Sequence, residues 1–337
     1  MTGVTCLDTQ AVAEHLEAVG LDLAGPLRSE LIAGGRSNLT YQLSDGQSRW
    51  VLRRPPQAGR TASAHDMVRE ARVTAGLADT AVPVPPLVSL CEDESVLGAP
   101  FTVTGWIDGR VVRQRSDLTD LTDHELIATC AALVDVLATL HEVDPQKVGL
   151  SGFGRAQGYL ERQVALWRRQ WEQVHTRELA DLERLHIRLA DRVPTSAATS
   201  IVHGDYRIDN VMLAADDPAQ VVAVLDWELS TLGDPCTDVA LMCTYRHPAL
   251  DAVLGIPAAW ASPRLPAPES LADAYARRSG RDLGDWAFYL GLAHLKLAVI
   301  AEGIAYRASV GADAGREARG AAAAVPELLA DGLSHLG

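Results

Sequence analysis

The chain has 337 residues, 47% hydrophobic and 22% charged, which is enough to bury a large core and ordinary for a soluble globular protein. A net charge of −14 argues against nucleic acid as a partner, because binding it needs a cationic surface that displaces counterions. The five cysteines are scattered, odd in number and without a CxxC pair, which fits a reduced cytoplasmic protein and gives no zinc signal.

The first ten residues are polar and lack the basic-then-apolar pattern of a signal peptide. Asp8 is placed to cap a short helix that stops at Gly20. Strands are expected over 27–33, 39–43 and 49–54, with Asp45-Gly46 as the hairpin turn between the second and third. A helix over 64–78 and an extended, proline-rich stretch over 82–86 lead to two more strands, 87–90 and 101–106. From about residue 122 helices dominate: 126–141, 235–243, 270–278, 283–306 and 316–333, the last broken or kinked at Pro326. Within 155–190, Leu160, Val164, Trp167, Trp171 and Val174 recur at helical spacing and form one apolar stripe, read as packing. The most apolar segment, 286–304, is interrupted by His294, Lys296 and Glu302, so it reads as a buried helix and not a membrane span. The fold class is therefore α+β, a small antiparallel sheet followed by a larger helical region.

One constellation carries chemistry. His203-Gly204-Asp205-Tyr206-Arg207-Ile208-Asp209-Asn210 places a carboxylate five residues before a carboxamide. Apolar runs at 199–202, 211–213 and 221–225 fit short strands around it, with Asp217-Pro218 turning the last two into a hairpin. Asp226 then stands at the end of the third run, followed by Trp227-Glu228. Phosphoryl transfer from a nucleotide needs this set: Asp205 to orient or deprotonate an attacking hydroxyl, and Asn210 with Asp226 to hold Mg2+. Magnesium prefers oxygen ligands and keeps several waters, so two protein ligands plus phosphate oxygens suffice. Glu228, two residues on, faces the same way if the backbone stays extended and is a further metal candidate.

These residues, with the segments 34–41, 50–56 and 233–240, resemble the aminoglycoside phosphotransferase and choline kinase-like branch of the protein-kinase-like fold. The likeness is greatest to the kinase-like domain that is fused to acyl-CoA dehydrogenases in animals and stands alone in many bacteria. The resemblance implies two lobes, 1–106 for the nucleotide and 107–337 for the catalytic loop, metal site and helical substrate pocket. It implies ATP as donor, GTP being the alternative, and Mg2+. In protein kinases a lysine on the third strand holds the phosphates and pairs with a glutamate on the next helix. Here the matching residue is Arg53, because Lys147 and Lys296 are the only lysines, and its expected partner is Glu70. Arginine offers a charged planar fork suited to phosphate and carboxylate. Gly34, Gly35 and Ser37 lie in the expected phosphate-covering turn, where glycine lets backbone N–H groups approach. Gly105 and Ile107 are placed at the hinge, against adenine, through the carbonyl of one and the amide of the other.

By the same resemblance His203 braces the loop and Asp238 holds its backbone. Arg207 and Asp209, inside the loop, touch substrate or phosphate or pair locally, the local reading being preferred. Only six residues separate Asp226 from Gly233, too few for a peptide-docking segment, which favours a small acceptor over a protein. That acceptor is an aminoglycoside, an amino alcohol or a hydroxyacyl-CoA. The acids Asp273, Asp285 and Glu302 suit either an ammonium group or a solvated face. No membrane partner is expected, and the sequence sets no oligomeric state. The competing reading is a nucleotide-binding pseudokinase or regulatory module, suggested by the missing third-strand lysine.

Overall fold

A computed structural model describes residues 7–34, 38–55, 67–195, 199–311 and 317–337. The chain divides into two compact units, Met1–Asp108 with Ala223–Ser230, and Gly109–Val222 with Thr231–Gly337.

The first unit is built on a five-stranded antiparallel sheet of β1 (Arg28–Gly34), β2 (Leu39–Ser44), β3 (Arg49–Arg54), β4 (Leu87–Cys91) and β5 (Phe101–Gly105), in the order β1-β2-β3-β5-β4. Three helices accompany it: α1 (Thr9–Ala18), α2 (Met67–Leu77) and α3 (Glu94–Leu97). The Asp8 carboxylate caps α1 by accepting from the Ala11 amide at 3.0 Å. Asp45 closes the β2–β3 turn by accepting from the Ser48, Ala24 and Gln47 amides, which hold its carboxyl below the usual range. Strand alternation decides what each face carries. Trp50 and Leu52 point into a core shared with Val12 and Leu16 of α1, Tyr41, Leu43, Phe101 and Val103. Val51 and Arg53 therefore take the opposite face.

The second unit contains a two-stranded sheet of β6 (Ser200–Val202) with β9 (Thr231–Gly233); β7 (Val211–Leu213) pairs with β8 (Val221–Val224), whose last two residues are grouped with the first unit. The β7–β8 turn uses Asp217, whose side chain accepts from the Ala219 amide at 2.9 Å. The helices are α4 (Asp123–Glu142), α5 (Tyr159–Val174), α6 (Ala180–Ala190), α7 (Pro235–Thr244), α8 (Leu250–Leu254), α9 (Pro268–Ser279), α10 (Trp286–Ser309) and α11 (Glu317–Leu336). By length and apolarity α4 and α10 would suffice to cross a membrane. In α10, 78% of the apolar window is buried within the fold, as befits a core helix.

Two expectations need correction. Pro326 does not break α11, which runs unbroken from Glu317 to Leu336. A proline there has no N–H for the carbonyl four residues earlier, that of Ala322. The Arg177 guanidinium donates to that carbonyl instead, so the helix loses a bond without leaving a bare acceptor. Glu302 is neither solvated nor free for an ammonium ligand, whereas Asp273 and Asp285 are exposed. Fully buried, Glu302 accepts from the Thr176 amide (2.9 Å) and hydroxyl (2.6 Å) and pairs with Arg177 at 3.2 Å. This ties α10 to the α5–α6 connection.

Candidate active site

In the first unit the opposite-face position of Arg53 puts its guanidinium between two acids. Arg53 Nη1 lies 2.9 Å from Glu70 Oε2 on α2, and Nη2 lies 3.0 Å from Asp226 Oδ1. Burial pulls the Arg53 pKa down, but the charges of Glu70, Asp226 and Glu228 outweigh it and raise the value. Glu70 is 7% exposed at its side chain and also accepts from the Asn38 carboxamide at 3.3 Å. The carboxylates of Glu70, Asp226 and Glu228 bring ligand oxygens within 4.8 Å of one another. Among the described residues, Asp226 is the only non-glycine with positive φ, at 64° and ψ 61°. Aspartate tolerates this left-handed backbone better than most other non-glycine residues. A tight turn over Trp227–Leu229 holds it, closed by the Ser230 amide and hydroxyl on the Trp227 carbonyl. Arg69 of α2 then donates to the Ser230 carbonyl at 2.8 Å.

Gly105 has a packing reason to be glycine, since a Cβ would stand 2.8 Å from Pro86 Cγ. Its amide is committed to the Pro86 carbonyl at 2.8 Å, which leaves the carbonyl predicted to face adenine. Ile107 follows the end of β5, and Gly34 closes β1, paired with Leu39. Gly35 and Ser37 lie outside the described residues.

In the second unit Asp205 sits in a web of donors. Tyr245, just beyond α7, donates its hydroxyl to Asp205 Oδ1 at 2.5 Å. Asn210 Nδ2 donates to Asp205 Oδ2 at 2.9 Å and to its backbone carbonyl at 2.7 Å. Both bonds use the amide nitrogen, so the amide oxygen is the end Asn210 has to offer a ligand. The Asp205 side chain remains 20% exposed, so it is oriented but reachable. Arg207 reaches Asp205 at 3.6 Å and pairs with Asp209 at 2.7 Å, while stacking over the Tyr245 ring. Burial raises the Asp209 pKa, against the Arg207 charge.

Beneath the loop, Asp238 of α7 accepts from the His203 amide at 2.6 Å and the Gly204 amide at 2.8 Å. Burial alone would push its carboxyl up, but the bond from His141 and the charges of His141 and His203 bring it below the usual range. His141 in turn meets the Tyr275 hydroxyl at 2.7 Å. Gly204 has φ 83°, a left-handed conformation that glycine adopts without cost. His203 accepts from the Asp205 amide at 3.2 Å through Nδ1 and meets the Tyr206 ring edge-on, so it shapes the loop.

Tyr245 and the His141–Tyr275 pair had no local signal in the sequence. Lys296 had one, an ammonium inside the most apolar stretch of the chain. It donates to the Gly204 carbonyl at 2.5 Å.

Residues 29–292 match the model of the phosphotransferase enzyme family. Acyl-CoA dehydrogenase family member 10 of Mus musculus is 33% identical over 315 residues, covering 89% of this chain and 28% of that protein. Member 11 of Homo sapiens is 33% identical over 304 residues, covering 88% of this chain and 38% of that protein. The chain thus spans well under half the length of these relatives. Among solved structures, a candidate aminoglycoside phosphotransferase from Ralstonia eutropha superposes with a TM-score of 0.83 at 33% identity, over 98% of both chains. Aminoglycoside phosphotransferase APH(4)-Ia, in a ternary complex with AMP-PNP and hygromycin B, shares the fold at a TM-score of 0.59 and 18% identity, over 90% of this chain and 93% of its own. The chain belongs to the phosphotransferase enzyme family and has the protein-kinase-like fold.

Proposed function

We propose that the chain transfers the γ-phosphoryl group of ATP, with Mg2+, to a hydroxyl of a small molecule. The observation that carries this reading is Asp205, a carboxylate fixed from two sides by Tyr245 and Asn210 yet open to an incoming hydroxyl. In the proposal Asp205 accepts that hydroxyl's hydrogen bond, aligns it for in-line attack and takes its proton. Asn210 and Asp226 are the proposed magnesium ligands, with Glu228 a third acid beside Asp226. The all-oxygen donor set fits a hard divalent cation, and three carboxyl groups against one guanidinium leave acid in excess. When bound, the ion neutralises charge on the phosphates. Arg53, positioned by Glu70, offers its fork to phosphate oxygens. Gly34, Gly35, Ser37, Gly105 and Ile107 are the proposed remaining contacts to nucleotide.

For the acceptor, the relatives named as acyl-CoA dehydrogenases favour a hydroxyacyl thioester or a related alcohol over aminoglycosides and amino alcohols. The test is a coupled nucleotide-consumption screen with ATP and GTP across these acceptor classes. Asp205→Asn should lower the rate by roughly 10²–10⁴-fold while the circular dichroism spectrum stays parental. Near-parental turnover by that variant would sink the assignment. Magnesium-dependent nucleotide binding with no turnover on any acceptor would favour the pseudokinase reading.

A further inference from the structure

Lys296 has no part in the phosphate chemistry above, and it is oddly placed for a residue without a task. It lies on α10 in the second unit, in a chain whose other basic side chains, Lys147 apart, are all arginine. Among the described residues its one hydrogen-bond acceptor is the Gly204 carbonyl at 2.5 Å, and no carboxylate oxygen lies within ion-pair reach. The ammonium rests 5.4 Å from the centroid of the Trp167 ring. Burial lowers its pKa, with the charges of Asp205 and Asp238 working against the shift. A half-buried ammonium without an ion-pair partner is costly. If holding the Gly204 carbonyl were its whole purpose, a neutral donor would serve at less cost.

An ammonium has three N–H groups, and the Gly204 carbonyl occupies one. Lys296 lines a small cavity of about 30 Å³ beside the catalytic loop, together with Tyr159, Gln163, Trp167, Gly204, Thr237 and Asp238. That volume suits one water-sized group, such as a single oxygen substituent, and not a sugar ring. The lysine stands one residue from Asp205, through the carbonyl it binds, and the Asp205 charge acts on it.

Resting on the phosphotransferase reading of Asp205, we propose that Lys296 is a specificity-determining residue of the acceptor site. Its remaining N–H groups take a carbonyl or carboxylate oxygen of the acceptor, and its charge turns away acceptors that carry ammonium groups at that position. Recognition of an oxygen by a charged donor is directional and short, whereas two cations pressed together in a poorly hydrated pocket repel.

The experiment uses the whole chain and its Lys296→Met and Lys296→Gln variants. Turnover is measured on three acceptors: a hydroxyacyl thioester, the amine-bearing alcohol of the same length, and an aminoglycoside. The parental protein should favour the thioester. Both variants should raise its KM by roughly 10–100-fold, with a smaller change in kcat, and narrow the gap to the amines. A purely structural lysine would lower kcat on all acceptors alike, together with the melting temperature. Calorimetric titration of 3-hydroxybutyrate, without nucleotide, into parental, Lys296→Gln and Asp205→Asn protein separates the two proposals. Binding lost only with Lys296, and no turnover on any acceptor, would overturn the phosphotransfer reading and keep this one. Equal affinity in the parental and Lys296 variants, no binding by the parental protein, or a parental preference for the amines would overturn the role of Lys296.

Discussion

Tyr245 shows what a single residue adds that the primary structure conceals. Asp205 and Asn210 were readable because their interval is local and matches the kinase loop, and Asp226 because it ends an apolar run. Tyr245 lies forty residues beyond Asp205 in a stretch with no motif, and only the packing of α7 brings its hydroxyl to the carboxylate. Hydrogen bonds to charged groups are worth about 1.5–3 kcal/mol, so Tyr245→Phe should slow turnover by roughly tenfold or more. The melting temperature should move little, because the ring and its contact with Arg207 remain. Steady-state kinetics beside a melting curve decides this; an unchanged kcat would mean that Asp205 is oriented by Asn210 alone. Arg53 and Glu70 were legible only through the family likeness, since nothing local to either pairs a strand arginine with a helix glutamate.

Elements were legible in proportion to their length and periodicity. The five strands of the first sheet fall within a residue or two of expectation because alternation and the Asp45-Gly46 turn mark them. Strand β9 was missed: unlike the equally short β7, its Thr-Leu-Gly run has a single apolar residue, and it pairs with β6. The break between α5 and α6 and the continuity of α11 were both settled by long-range polar contacts to Glu302 and Arg177. Helix α4 begins one turn earlier than its apolar run, and its cap explains why. Thr122 accepts from the Glu125 amide at 3.3 Å while Glu125 accepts from the Thr122 amide at 2.8 Å, a reciprocal capping box. Thr122→Ala should cost about 1 kcal/mol, read as a lower midpoint in urea with the slope unchanged.

At the scale of the molecule, acid should weaken the fold through a buried imidazole. His294 of α10 is 5% exposed, and burial pushes its pKa down to about 4 from the ordinary imidazole value of 6.5. It faces His247 and His335, which oppose protonation, and Asp331, which favours it; Asp331 also bonds His247 at 2.9 Å. The unfolded chain takes up this proton near pH 6.5 and the folded one only near 4. Stability from this group is therefore full above pH 6.5 and falls as pH drops towards 4, by at most about 3 kcal/mol. Denaturation at pH 7, 5.5 and 4.5 measures the slope, and His294→Gln should flatten it; an identical slope in that variant would acquit the imidazole. The division into two units has a further consequence for anyone wishing to study them apart. Residues 223–230 belong with the first unit although both flanking stretches belong to the second. One cut in the gene cannot part them: a fragment ending at Asp108 would keep Arg53 and Glu70 but leave behind Asp226, stripping the guanidinium of one of its two counter-ions.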